Sequence, residues 1–439
     1  MKSNVITIVF NNAVRCSGMC GYCTVASQEN YAQGFNHQSL DKAIESIKRI
    51  NEQCNQLIKW DYDKLEETVI NNPIFKNNSR ISFSIWGADP LNSFDQYVEA
   101  HEYFKDLCKR HNKIFGGTHG STNGMAFLVP EWVEWLKEHS KEIRFQISHD
   151  GLGQWIRTRE LDPFDFPGTL ELIDCGAITY ISCVLNFWNP SPKKNIEYFE
   201  NKLGNRLDKL GMRLYTVRSA DYNITAKSNG YFNGVYYPQL DGIPIGDIDI
   251  HNDQELADKY NIFEMAHAAD IYFDEIEDIY KNIDNPRYKP YRKVLIQRLV
   301  YNSKKYTQLN ENNVPNYNRP SCAKFHMGKQ DYSNCIDTTG KYTGCHLLDG
   351  DMKVSNPKLE KPDFCNQCKY KDRWECNICG VFKLNTKYCQ WSYRFNQQMD
   401  RLKKSRWLQD YIKVFGKNWS DDPNVIHNKE NNYYGNKSK

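Results

Sequence analysis

Cys16, Cys20 and Cys23 fall within one short stretch, RCSGMCGYCTV (15–25), at the spacing C-x3-C-x2-C. A disulfide joins two thiols, and a closed structural zinc site takes four ligands. Three thiolates on one loop suit a metal centre left one ligand short, which a small molecule can complete. A second population follows near the other end: Cys322, Cys335, Cys345, Cys365, Cys368, Cys376, Cys379 and Cys389. Its densest part, CNQCKYKDRWECNIC (365–379), reads C-x2-C-x7-C-x2-C. Taken alone, those two C-x2-C pairs can make a tetrahedron of thiolates around zinc. The remaining cysteines, Cys54, Cys108, Cys175 and Cys183, sit in ordinary helix and strand patterns and are expected to be small buried hydrophobes.

Composition narrows the function classes. In 439 residues, Lys and Arg (57) nearly balance Asp and Glu (54), for a formal charge of +3, which argues against a nucleic-acid-binding face as the main design. Mean hydropathy is −0.73, so the surface is polar, and Tyr (28) and Phe (21) must fill much of the core. The apolar run VITIVF near the start is too short for a signal peptide, and no window approaches the ~20 apolar residues of a membrane span. The expectation is a soluble cytoplasmic protein with no membrane or nucleic-acid partner. In a reducing compartment, fifteen cysteines point to metal or redox chemistry rather than a disulfide framework.

The elements that must position the first cysteines alternate in type. Strands are expected at 4–10, 80–87, within 113–124, at 142–151, 177–186 and 212–219. Helices are expected at 40–53, 93–111, 130–140, 169–176 and 196–211. Such alternation implies parallel βαβ units, in which chemistry collects at the C-terminal ends of the strands. The first strand delivers Cys16, Cys20 and Cys23 on the loop that follows it. Residues 221–320 are irregular and then helical and read as a connector. The region from 321 is rich in Cys, Asp, Lys and Gly, and the last residues read as a disordered tail.

With Tyr22 in the aromatic slot, C-x3-C-x-aromatic-C resembles the mark of the radical S-adenosylmethionine (SAM) superfamily. Three later stretches resemble that family in the right order, each after a strand. IWGADPL (85–91) is similar to its G-G-E-P segment, with Gly87, Ala88 and Asp89 in the first three slots; Ala88 and Asp89 depart from it. STNG (121–124) matches a T-N-G that lies near SAM, which implicates Thr122 and Asn123. ISHDG (147–151) with Arg157 resembles an S-x-D-G…R stretch whose Ser and Arg contact the SAM carboxylate or ribose; that assigns Ser148 and Arg157, with Arg159 as rival. His149, Asp150 and Tyr215 also lie near strand ends, but structural roles are the more common outcome for such residues.

The C-terminal cysteines resemble the SPASM domain, which extends radical SAM peptide-modifying enzymes and typically holds two auxiliary clusters. Gly340 and Cys345 stand as its G-x4-C, although the first gap is 17 residues and x7 and x2 replace its usual later spacings. The resemblance implies that Cys322, Cys345 and Cys379, with Cys335 as a possible fourth ligand, hold one auxiliary cluster. It implies that Cys365, Cys368, Cys376 and Cys389 hold the other, with zinc there as the alternative.

The resemblance implies a partial (βα)6 barrel of parallel strands over 1–220, a connector at 221–320, a cysteine-rich iron–sulfur domain at 321–395, and a helix and tail at 396–439. The cofactors it implies are a SAM-binding [4Fe-4S] cluster, two auxiliary clusters and SAM itself. Electron transfer to SAM would give a 5′-deoxyadenosyl radical that takes hydrogen from a peptide or protein substrate, for oxidative modification or cross-linking. A flavodoxin or ferredoxin would be the reductant. One alternative is a radical SAM dehydrogenase of a small alcohol or amino sugar; another, of a different class, is a non-catalytic iron–sulfur electron carrier. Strand one is expected from residue 4, so no leader-binding segment of the kind many peptide maturases carry is expected before it. If three cubanes form, anaerobically reconstituted protein should bind about twelve irons per chain; about four irons and one zinc would show the C-terminal cysteines to be a zinc site.

Overall fold

The computed structural model describes residues 4–10, 16–18, 39–87, 89–158, 161–185, 189–216, 231–232, 235–236, 239–240, 243–244, 265–282, 285–287, 335–343, 367–369 and 389–403. The chain runs β1 (Val5–Val9), α1 (Leu40–Leu57), α2 (Tyr62–Asn71), α3 (Pro73–Asn77), β2 (Arg80–Trp86), α4 (Phe94–Arg110), β3 (Ile114–Thr122), α5 (Pro130–Glu138) and β4 (Ile143–Ser148). It continues through α6 (Trp155–Thr158), α7 (Pro167–Asp174), β5 (Ile178–Leu185), α8 (Pro192–Leu203) and β6 (Gly211–Thr216). Beyond these lie two small antiparallel ribbons, β7 (Tyr231–Phe232) with β8 (Val235–Tyr236) and β9 (Gln239–Leu240) with β10 (Ile243–Pro244). They are followed by α9 (Met265–Lys281), β11 (Cys335–Asp337) and α10 (Cys389–Lys403).

Strands β1 to β6 pair in chain order, and every pairing is parallel. Right-handed crossovers that always step in the same direction put all their helices on one side of the sheet, as in a barrel; a doubly wound sheet reverses direction and covers both sides. The (βα)6 expectation therefore holds over this half of the chain. The strands show the consequence in their alternation. On β4, Ile143, Phe145 and Ile147 are buried in the core shared with the helices, while Arg144, Gln146 and Ser148 point to the other face. On β2, Ile81, Phe83 and Ile85 join the core and Ser82, Ser84 and Trp86 take the opposite face. One face is thus apolar and helix-covered, and the other is polar.

Two features were not among the sequence expectations. Helices α2 and α3 fill the interval between α1 and β2, where no element is expected from the sequence. They receive a hairpin from far along the chain: β11 pairs in parallel with β1, Thr7 opposite Cys335, and becomes a seventh strand at the sheet edge. The chain then turns, and Tyr342 bridges back to Ile336. Thr338 Oγ1 donates to the Lys59 carbonyl at 2.6 Å, and Thr68 Oγ1 donates to the Gly340 carbonyl at 2.7 Å. Part of the segment 321–395 thus belongs to the same sheet as residues 1–220, and the boundary expected at 395/396 falls inside α10. Within the connector, Glu275 of α9 accepts from Ser191 Oγ at 2.7 Å and from the Lys193 N–H at 2.8 Å, and so caps the start of α8. Helix α10 packs on α9 through Phe395 and Phe273, and Arg394 holds Asp270 in a two-pronged ion pair.

Cys54, Cys108 and Cys183 are buried, as expected; Cys175 is not. It is the C-cap residue of α7, where the chain leaves the core, and its side chain is exposed. Among the described residues, no helix is long and apolar enough to cross a membrane.

Gly340 explains why a glycine stands in the G-x4-C spacing. Its φ is +80°, and a Cβ there would sit 2.6 Å from the Lys64 backbone. Gly176 has the same φ with nothing within 4 Å. Gly176→Ala is expected to cost about 1 kcal/mol from the left-handed backbone alone. Gly340→Ala should cost clearly more, because the hairpin must also back away from α2; paired denaturation curves of the two variants check this.

Candidate functional site

At the C-terminal end of the sheet, the loops after β1, β2 and β3 come together. The loop after β2 opens with Asp89, which caps the short 3-10 turn Pro90–Ser93 by accepting from the Leu91 N–H at 3.2 Å. Helix α1 braces the next residues, because Asn51 Oδ1 accepts from the Asp95 N–H at 3.1 Å, where Ser93 offers α4 no side-chain cap. The second oxygen of Asp89 accepts from the Asn123 N–H at 2.7 Å and from Thr122 Oγ1 at 3.1 Å. A carboxylate in the β2 loop is thus the anchor of the T-N-G turn after β3. Each letter of that turn has a physical reason. Thr122 reaches Asp89, Asn123 reaches the cysteine loop, and Gly124 adopts φ +85° where a Cβ would press on Pro163 and Ile147.

The cysteine loop closes the arrangement. The Ser17 hydroxyl is fully buried and accepts from Asn92 Nδ2 at 3.1 Å and Asn123 Nδ2 at 3.0 Å. The Cys16 sulfur accepts from the Gly18 N–H at 3.2 Å and from Asn123 Nδ2 at 3.5 Å. Two N–H donors converging on one buried sulfur suit a thiolate, since a thiol sulfur is a weak acceptor. By the chemistry of these donors, Cys16 is suited to serve as a thiolate ligand. Cys20, Cys23, Ala88 and Arg159 lie outside the described residues.

Asp89 is committed to the junction of the two loops. It is 1% exposed, and both of its oxygens are engaged within the protein. Burial pushes its carboxyl up to about 6, against three hydrogen bonds and the positive field of Arg157 that pull it down.

Ser148, at the end of β4, lies 3.0 Å from Ser121 Oγ on β3, and Gln146 Nε2 donates to Ser121 at 3.4 Å. This row of small polar groups lines the polar face beside the T-N-G turn. Deeper on that face, burial and then the charges of Arg144 and Arg80 push the His119 imidazole down to about 4, so it is neutral at physiological pH. Arg157, on α6, brings Nε to 2.9 Å from Asp150 Oδ2; its N–H is not aligned for a hydrogen bond, so the contact is coulombic. Asp150 in turn accepts from the Val184 N–H, and the Gly151 N–H donates to His149 Nδ1. His149 therefore carries its proton on Nε2 and gives it to Asp162 at 2.8 Å, while its ring stacks on Phe164. Burial opposes ionisation of Asp162, but bonds from His149, Tyr198 and the Phe164 N–H hold its carboxyl well below the usual range. His149 and Asp150 are structural; the side chain of Tyr215 lies outside the described residues.

The structure thus brings Cys16, Asp89, Thr122 and Asn123 into one bonded network, places Gly87 just past β2, and sets Ser148 and Arg157 on neighbouring elements. Among the C-terminal cysteines, Cys335 is buried in β11, Cys368 is half-buried, and Cys389 begins α10. Cys322, Cys345, Cys365, Cys376 and Cys379 lie outside the described residues. Sequence reasoning missed Ser17 and Asn92, because a polar residue in a loop carries no signal that it will be buried.

No family model and no curated protein matches the chain. Solved structures of anSMEcpe do match in fold. One, with bound AdoMet and a Cp18Cys peptide, shares 14% identity at a TM-score of 0.45 over 91% of this chain and 97% of that one. Another, with AdoMet alone, shares 14% at 0.46 over 91% and 98%. A third, with AdoMet and a Kp18Cys peptide, shares 15% at 0.46 over the same fractions. The similarity to these structures is one of fold. At this identity and score the likeness bears on neither substrate nor reaction.

A carboxyl whose folded value is raised keeps its proton where the unfolded chain has lost it. Between about pH 4 and about pH 6, Asp89 therefore makes stability fall as pH rises, and above that window its contribution is constant. Asp89→Asn removes this slope. Across the window, the stability of the variant relative to wild type should rise by at most about 3 kcal/mol, read from urea midpoints. A pH-independent difference would contradict the assignment.

Proposed function

We propose that this chain is a radical SAM enzyme that modifies a peptide or protein. The observation that carries the reading is the Cys16 sulfur. Around it, loops from three consecutive strands, each bearing a stretch that resembles a motif of that superfamily, are tied together: Asn123 donates to the sulfur, Asn92 donates to the adjoining Ser17, and Asp89 holds the Asn123 N–H. Chance matches to short motifs have no reason to bond to one another in the folded chain.

In this reading Cys16, Cys20 and Cys23 hold a [4Fe-4S] cluster with one iron open. When bound, that cluster supplies the electron that splits SAM into methionine and a 5′-deoxyadenosyl radical. The protein's part is placement. Because Asp89 is spent on the loop junction, the SAM ammonium is left to backbone carbonyls at Gly87 and Ala88. Ser148, Ser121 and Gln146 offer hydroxyl and amide groups to the ribose or carboxylate, and Arg157 enters through its charge. The helix-covered side of the sheet excludes water from below, and the polar side receives the ligands.

The substrate class rests on the resemblance of Cys322–Cys389 to SPASM. On that basis, auxiliary clusters, or one cluster and a zinc, serve oxidative modification or cross-linking of the substrate. A flavodoxin or ferredoxin supplies electrons.

Changing Cys16, Cys20 and Cys23 together to Ala should abolish 5′-deoxyadenosine formation with dithionite. Changing Cys365 and Cys368 to Ala should leave substrate-free SAM cleavage in place and end turnover of the peptide substrate, with circular dichroism checking that the C-terminal part still folds. A triple variant that still forms 5′-deoxyadenosine would overturn the proposal, and wild-type protein that binds iron but never cleaves SAM would favour an electron carrier.

A further inference from the structure

We infer that Asn123 is a positioning residue whose side-chain N–H tunes the reduction potential of the centre held by Cys16; this rests on the iron–sulfur reading above. The T-N-G resemblance assigns Asn123 to SAM. The structure instead turns its amide toward the cysteine loop, with Nδ2 3.0 Å from Ser17 Oγ and 3.5 Å from Cys16 Sγ.

The orientation of that amide is determined by its other contacts. Oδ1 accepts from the Met125 N–H at 2.9 Å, and a flipped amide would set NH2 against that donor. The backbone N–H of the same residue is held by Asp89 at 2.7 Å. The side chain therefore has one way to sit, with its donor toward the sulfur. Asn123 is 4% exposed and Cys16 8% exposed, so water does not compete for the contact. Gly18 donates to the same sulfur, but through the backbone, so among the side chains that reach Cys16 it is Asn123 that a conservative substitution can test.

An N–H aimed at a cluster thiolate stabilises the form with more negative charge on sulfur. Reduction adds that charge, so the bond strengthens on reduction and raises the potential. A centre that must accept an electron before it can pass one to SAM gains from such a donor. The same amide holds Ser17, so the group that tunes the sulfur also fixes the loop that carries it.

The test is a potentiometric titration of the reconstituted full-length protein, followed by electron paramagnetic resonance. The relevant signal is the one lost in Cys16→Ala protein. Asn123→Asp is nearly isosteric and keeps the acceptor for Met125, but it replaces the donor with oxygen; the potential should move to more negative values. Asn123→Ala should move it the same way by less, since no charge is added. Asn92→Ala loosens Ser17 without touching the sulfur and should leave the potential in place. Thermal melting of all three variants separates loosening of the loop from the redox effect. An unchanged potential in both Asn123 variants, with the centre present, would overturn the inference, as would an equal shift in Asn92→Ala. Absence of any iron signal that depends on Cys16 would instead mean that the iron–sulfur reading has failed, and the inference with it.

Discussion

Asp89 is an anion at neutral pH with almost no contact with water, and the loops at the C-terminal end of the sheet are assembled around it. A buried carboxylate without partners costs several kcal/mol, and the protein meets that cost with donors from two different loops. One oxygen starts the turn after β2; the other fixes the turn after β3. Neither loop can move independently of the other. Because Asn123 continues from that junction to Ser17 and Cys16, the position of the cysteine loop is tied to the same charge.

This arrangement suits a site on the ends of parallel strands. Each strand delivers its loop within a few ångströms of the next, but a loop carries its own conformational freedom and would not hold a fixed geometry alone. Here the freedom is removed by cross-bonds between loops. Helix α1 adds to the constraint by capping α4 through Asn51, so the turn beginning at Asp89 is held from outside as well as from within.

A second anchoring scheme operates at the opposite edge. The hairpin at 335–343 extends the sheet beyond β1, the strand that leads into the cysteine loop. Its seat on α2 requires the left-handed, close-packed Gly340. The two regions richest in cysteine are therefore connected through adjacent strands of one sheet. On the other side, Glu275 and the α9–α10 pair tie the connector and a later helix to the start of α8.

The sequence by itself determined the βα alternation and the parallel order it implies. Periodicity and motif spacing are local properties, and β1 to β6 and their helices lie close to where local pattern places them. It also picked out Cys16, Asp89, Thr122 and Asn123. What it could not determine was which of them bond to one another. Asp89 matched a ligand-binding slot by position, yet its partners lie 33 and 34 residues away, and only folding brings them within reach. Ser17 and Asn92 are ordinary loop residues in the sequence and become buried network members because loops from different strands close over them. Cys175 shows the converse, an apolar-looking position that the end of α7 turns to solvent. The seventh strand also escaped, since it exists by pairing with a strand more than 300 residues earlier in the chain, whereas α2 and α3 carry local signals, the N-caps Asp61 and Asn72 and the Pro at the start of α3, that went unread. Spacing identifies what can do chemistry; three-dimensional proximity, governed by burial and hydrogen-bond satisfaction, decides which groups do it together.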